Sequence, residues 1–239
     1  MQDKPVVLVT GASRGIGRAI AVKFAKEGHA VALTGRSEEG LQETVQLIEK
    51  NSGLSPLTIT TDLRDSRQID HLANTVLEMW GKVDVLVNNA GILHLKPFLE
   101  IQPEELQEML DVNIKAVFEL TQKIVPGMIE RKSGAIVNIA SLAGKNGFKS
   151  GTGYAATKFA LRGFAASLML ELRAHDIRVI TVFPGSVNTR MIGRNPNAPN
   201  ADTMLQAEDV AHAVFAAVSV DSRAMMSEID IRPSNPKKG

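Results

Sequence analysis

Short β-branched runs alternate with longer amphipathic stretches along this chain, and that alternation restricts the fold more than any other feature. Apolar runs at 6–10, 30–34, 57–60, 83–88, 135–139, 178–183 and 228–231 have the length and residue types of strands. Most of them end at Gly, Asn, Pro or Ser. Stretches with helical character fall between, at 15–27, 38–51, 66–80, 103–131, 153–174 and 207–218. Strands that recur across intervening helices pair in parallel through right-handed crossovers, with helices on both faces. The expected architecture is α/β, one doubly wound domain over residues 1–239 with a seven-stranded parallel sheet. No Pro/Gly/Ser-rich linker, composition shift or internal repeat divides it. Aromatic residues make up only 4% of the chain, so the core must be aliphatic and alanine-rich, which suits buried parallel strands.

Composition excludes several classes of function. A formal net charge of +1, with Lys and Arg spread along the chain, leaves no electrostatic footprint for nucleic acid. Cysteine is absent, so neither disulfides nor thiolate chemistry operate. No apolar run approaches the roughly 18 residues that span a membrane, and the expectation is a soluble, cytoplasmic protein. The histidines (His29, His71, His94, His175, His212) lack metal-ligand spacing, so no metal is expected. Ser141 is not set in the Gly-x-Ser-x-Gly of a serine hydrolase.

The first strand runs straight into Thr10-Gly11-Ala12-Ser13-Arg14-Gly15-Ile16-Gly17, where a helix begins. Glycines permit a tight turn and a close backbone approach. A helix N-terminus supplies free N–H groups and partial positive charge to a pyrophosphate. The alternative is a plain structural turn; the position between first strand and first helix favours the phosphate cradle of a Rossmann-type domain. The second strand ends at Gly35-Arg36, where an NAD site usually carries an acid for the ribose 2′-hydroxyl. Arg36 and Arg14 instead suit a 2′-phosphate, so NADP(H) is preferred over NAD(H), unless both arginines are solvated surface residues. Asp62 and Leu63 after the third strand are candidates for the adenine, although a helix-start aspartate reads equally well. Asn88-Asn89-Ala90-Gly91 would pass close beneath the cofactor, its amides tying neighbouring strand ends together.

Tyr154 is the only tyrosine, and Lys158 lies one helical turn after it on the same face. An adjacent ammonium favours the phenolate and is expected to lower the phenol pKa from about 10. Alone, such a pair reads as well as two surface helix residues. The glycine loop, Asn88-Asn89-Ala90-Gly91, Ser141 and Tyr154 with Lys158, in that order, resemble the short-chain dehydrogenase/reductase family across almost the whole chain. The resemblance extends to Asn113 within Asp111-Val112-Asn113-Ile114, to Pro184-Gly185 and to Thr189. It implies that Ser141 donates a hydrogen bond to a substrate carbonyl, Tyr154 protonates that oxygen, and Lys158 holds the nicotinamide ribose. It further implies that Asn113 holds a proton-relay water, while Pro184, Gly185, Val187 and Thr189 border the nicotinamide and phosphates. The alternative for Asn113 is a mid-helix polar residue bonded to backbone.

Within the family the chain is similar to 3-oxoacyl-acyl-carrier-protein reductases and to small NADPH-dependent ketone reductases. Arg131, Lys132 and Arg173, at expected helix ends, would meet an acidic carrier protein, or simply complement helix dipoles. The ending Ile229-Asp230-Ile231-Arg232-Pro233-Ser234 departs from the carrier-protein group and is similar to general carbonyl reductases and alcohol dehydrogenases. The substrate is thus a small carbonyl compound or an acyl thioester. Residues 189–206 are polar and aperiodic, and are expected to form a substrate lid, with Met191, Ile192 and Met204 lining an adaptable apolar pocket. The tail from Pro233 is expected to fray. The resemblance implies a homotetramer to which Phe118, Leu120, Phe159, Phe164 and Leu168 are candidates to contribute, core packing being the alternative for some of them. A catalytically silent NADP-sensing protein on the same scaffold is the rival reading; such proteins lose Tyr, Lys or Ser, and this chain keeps them.

Overall fold

The computed structural model describes residues 4–194 and 199–235. Seven parallel strands are observed: β1 Val6–Thr10, β2 Ala30–Gly35, β3 Leu57–Thr60, β4 Val85–Asn88, β5 Gly134–Ile139, β6 Ile177–Pro184 and β7 Glu228–Ile231. Their spatial order is β3-β2-β1-β4-β5-β6-β7. The chain reverses its direction of sheet growth between β1 and β4, and a crevice opens there beyond the strand C-termini.

The helices are α1 Gly15–Lys26, α2 Glu38–Ser52, α3 Ser66–Trp80, α4 Pro103–Leu110, α5 Ala116–Arg131, α6 Thr152–Leu172 and α7 Ala207–Ser219. Successive strand residues point to opposite faces, and β1 shows how this builds two cores. Val7 and Val9 join the cluster under α1, α2 and α7, with Ile20, Phe24, Leu41 and Val214. Val6 and Leu8 join the cluster under α3, α5 and α6, with Leu72, Val76, Leu120 and Ala165. Both faces of the sheet are covered, so the strands carry almost unbroken apolar runs.

Three expectations need correction. The helix expected over 103–131 is interrupted by a π turn, Asp111–Lys115, that separates α4 from α5 and carries Asn113. Such wide turns occur mostly as single turns at functional sites. The strand expected at 83–88 begins at Val85, because the Asp84 carboxylate caps the sheet end by accepting from the Val6 N–H at 2.7 Å. Leu120, expected at a subunit interface, is buried in the core at 1% exposure, whereas Phe118 and Phe159 stand 47% and 45% exposed. Part of the expected lid, residues 195–198, and the end of the tail, 236–239, lie outside the described residues. Among the described residues no helix is long and apolar enough to cross a membrane.

Candidate active site

A cleft of about 1110 Å³ lies over the C-terminal ends of the strands at the crevice. Its first end is made by backbone. Gly11 and Gly15 hold left-handed conformations, φ 65° and 55°, which glycine adopts without strain. A Cβ on Gly11 would sit 2.9 Å from the Ala90 Cα, so only glycine lets the turn rest on the segment after β4. Gly17 does not reach the cleft; a Cβ there would lie 2.4 Å from both the Asn89 amide nitrogen and the Gly11 carbonyl oxygen. Its role is to let α1 enter close to the sheet.

The N-terminus of α1 carries no side-chain cap and no acid in its first turn. By contrast α2 and α3 are capped by Ser37 and Asp65. The first N–H groups of α1 are thereby left for an anion in the cleft. Arg18, which sequence reasoning missed, braces the turn. Its guanidinium donates to the Ser13 carbonyl, to Thr44 Oγ1 at 3.0 Å and to the Gly40 carbonyl at 3.2 Å, and pairs with Glu43 at 2.6 Å. A basic residue four places after Arg14 was the available signal.

Ser13, Arg14, Ile16, Arg36, Asp62, Leu63, Asn89, Ala90 and Gly91 all line this end. Arg36 is exposed and makes no hydrogen bond or ion pair among the described residues. Asp62 is already engaged: Arg64 donates to both its carboxylate oxygens, at 3.0 Å, 3.1 Å and 2.5 Å. That pairing holds the Asp62 carboxyl below its ordinary value, and the Arg36 charge adds to the effect. The Asn amides tie strand ends as expected. Asn89 Nδ2 donates to the Thr10 carbonyl at 2.8 Å, and Asn88 Nδ2 to Asn138 Oδ1 at 3.0 Å.

The other end of the cleft is made by side chains. Ser141 follows β5, and its Oγ accepts from the Ala143 N–H at 3.1 Å in a short turn over Leu142–Gly144. Tyr154, on the first turn of α6, lines the cleft together with Ser141, whose hydroxyl acts to lower the tyrosine pKa. Lys158, one turn on, is 3% exposed; its Nζ donates to the Ile139 carbonyl at 3.0 Å and lies 5.7 Å from the Tyr154 ring centre. The expected lowering of the phenol pKa is not found in this arrangement. Burial pushes Tyr154 up to about 12, with the Ser141 hydroxyl acting against it. Burial also pushes Lys158 down to about 8. Desolvation outweighs the helical proximity on which the sequence expectation rested.

Asn113 lies beneath the cleft, fully buried. Its Oδ1 accepts from the Ile92 N–H at 2.8 Å, and its Nδ2 donates to the Ile92 carbonyl at 3.0 Å and to Thr157 Oγ1 at 3.0 Å. The π turn thus ties the irregular segment after Gly91 to α6, beside Lys158. Pro184, Gly185, Val187 and Thr189 line the cleft opposite the glycine turn. Val187 pairs with Leu205, fixing the base of the 189–206 segment. Leu93, Leu95, Leu142, Phe148, Met191 and Ile192 give the cavity beyond Ser141 an apolar wall. Most of these sit in irregular loops, where residue spacing gave no signal.

A polar turn built for an anion, opening beside a hydroxyl pair set over a buried lysine, can bind a dinucleotide and donate a proton to an oxygen. Comparison with known proteins agrees. Residues 5–200 match the short chain dehydrogenase family. The chain is 39% identical to a 3alpha-hydroxysteroid dehydrogenase of Mediterraneibacter gnavus, over 83% of this chain and 80% of that one. It is 34% identical to the NADP-dependent 3-hydroxy acid dehydrogenase YdfG of Salmonella typhi, over 95% and 94%. A metagenomic short-chain oxidoreductase solved in complex with NADP superposes with a TM-score of 0.85, at 36% identity, over 97% of each chain. This chain belongs to the short chain dehydrogenase family of oxidoreductases.

Proposed function

We propose that this protein reduces an apolar ketone to a secondary alcohol with NADPH. The observation that carries the reading is the Ser141–Tyr154 hydroxyl pair, set over buried Lys158 and facing an apolar cavity. Arg36 and Arg14 border the cleft beyond β2, where the one lining carboxylate, Asp62, is held by Arg64, and the relatives named above include NADP-dependent ones. Gly11, Ser13, Gly15 and Ile16 at the glycine turn would hold NADPH, which would supply the hydride. Ser141 orients the carbonyl oxygen, and Tyr154 gives it a proton. A phenol held above its ordinary pKa is fully protonated at neutral pH, the form a donor requires. Lys158 would hold the ribose of the cofactor, and Asn113 keeps α6 and the Ile92 segment in register. Met191 and Ile192, near the start of the 189–206 segment, line the cleft on its substrate side.

The apolar wall favours a general ketone over a carrier-bound 3-oxoacyl thioester. Arg131, one of the basic residues considered for a carrier protein, has its guanidinium donating to the Val83 carbonyl at 2.9 Å. Exposed Phe118 and Phe159 fit the faces of a homotetramer. Light scattering after size exclusion should give four chains per particle, and a monomer removes that assembly. The activity is tested by NADPH oxidation with a panel of ring and chain ketones beside an acetoacetyl thioester. Turnover of ketones is expected. Tight NADPH binding without turnover of any compound would establish the silent sensor instead.

A further inference from the structure

Behind Ser141, three elements distant in sequence meet at one carboxylate. The turn after Ser141 ends at Lys145, whose Nζ lies 2.9 Å from Glu228 Oε2 and 2.7 Å from Asp230 Oδ1 on β7. Arg162, one turn after Lys158 on α6, grips the same Glu228 with two hydrogen bonds, 2.7 Å and 3.1 Å. Both cations also flank the ring of buried Phe183, Lys145 at 4.1 Å and Arg162 at 5.7 Å from its centre. The turn rests directly on α6 at the lysine: a Cβ on Gly144 would stand 2.8 Å from the Lys158 carbonyl oxygen. The turn and the helix that face each other across the hydroxyl pair are therefore clasped from behind by an acid on the edge strand.

We propose that Glu228 is a positioning residue for the Ser141–Tyr154 pair, holding the serine turn against the tyrosine helix by bridging Lys145 and Arg162. The inference rests on the reductase reading for its kinetic consequence, but not for its geometry. Without the carboxylate, two cations face each other over Phe183 with nothing between them on the Arg162 side. Asp230 still holds Lys145, so the turn keeps one ionic anchor and its packing on α6 but loses its ionic link to that helix. Ion pairs as exposed as these, with side chains 20% to 41% accessible, contribute little to folding. Their removal leaves the fold in place while shifting catalytic geometry, to which rate is far more sensitive.

Because Tyr154 is the only tyrosine, a heavy-carbon label at tyrosine Cζ gives one resonance, reporting the hydroxyl's hydrogen bonding directly. Glu228→Gln should move this resonance in the same direction as Ser141→Ala does. It should also lower kcat by about tenfold with the KM values for ketone and NADPH nearly unchanged. Glu228→Asp should restore part of both effects, and Lys145→Met should reproduce the resonance shift from the other side of the bridge. A Glu228→Gln protein with parental kcat and an unmoved resonance overturns the proposal, whatever happens to its melting temperature. If the parent protein turns over no ketone, the reductase reading falls, and the resonance comparison still decides whether Glu228 positions the pair.

Discussion

At the α1 end of the cleft, contacts that shape the site are made by backbone: left-handed glycines, a helix start without a cap, and chain segments too close for a Cβ. At the α6 end the shape comes from side chains: Ser141 and Tyr154 on the cleft wall, Lys158 bonded to a carbonyl, and Asn113 to Ile92 and Thr157. The first end binds a group common to many reactions, so it needs form more than functional groups. The second, in the function proposed above, moves a proton, so it needs particular atoms in particular surroundings. The two ends should accordingly fail in different ways: added volume should damage the first, and deleted atoms the second.

Tyr154→Phe separates them most sharply. Turnover should fall by about 10²–10⁴, the usual worth of a positioned general acid. NADPH affinity, followed by cofactor fluorescence, should stay near parental, and a large loss of affinity would assign the phenol to binding instead. Gly17→Ala tests the opposite failure. The new methyl meets the Gly11 carbonyl oxygen and Asn89, and should destabilise the protein by about 1–3 kcal/mol while weakening NADPH binding. Unchanged thermal unfolding would mean that α1 moves aside cheaply. Arg36→Asp, which leaves the glycine turn alone, should shift preference toward NADH by about tenfold. An unaltered ratio of kcat/KM for the two cofactors would rule out the phosphate contact.

The smallest expected effect lies outside the cleft and serves as its control. His29 is wedged between Phe24 and Phe215, and burial holds its imidazole below the ordinary value of 6.5. The unfolded chain therefore takes up that proton first. Stability from this residue is complete above about pH 6.5 and is lost as pH falls through the lower folded value. His29→Gln should flatten the acid side of a stability–pH curve modestly without altering kinetics at neutral pH. A curve that keeps its slope would place the titrating group elsewhere.

Much of the fold was legible because strands and helices differ in period and each ends at recognisable punctuation. The α1 end was also legible, since glycines mark it by their absence of side chain. What escaped the sequence depends on tertiary surroundings. Nothing in Asp111-Val112-Asn113 announces a wide turn, because its cause is a set of bonds to Ile92 and Thr157 made across the fold. Spacing put Lys158 on the face of Tyr154 but carried no information about solvent, and burial reversed the expected direction of the phenol's shift. Asp62 was recognised as a candidate while its partner Arg64, two residues away, was not, because proximity along a loop does not fix which way a side chain turns.

Lys158 carries a consequence beyond its chemistry. Its ammonium is kept dry and would hold its proton more tightly in water, so the folded chain gains stability as pH climbs from about 8 toward 10.5, where the ordinary lysine releases its own. At neutral pH the molecule maintains a strained cation at its centre for which robustness offers no reason. A sturdier descendant would be easy to obtain by making that position neutral, and on the role proposed for Lys158 it would lose its activity. Selecting this scaffold for heat resistance alone therefore points away from the working protein.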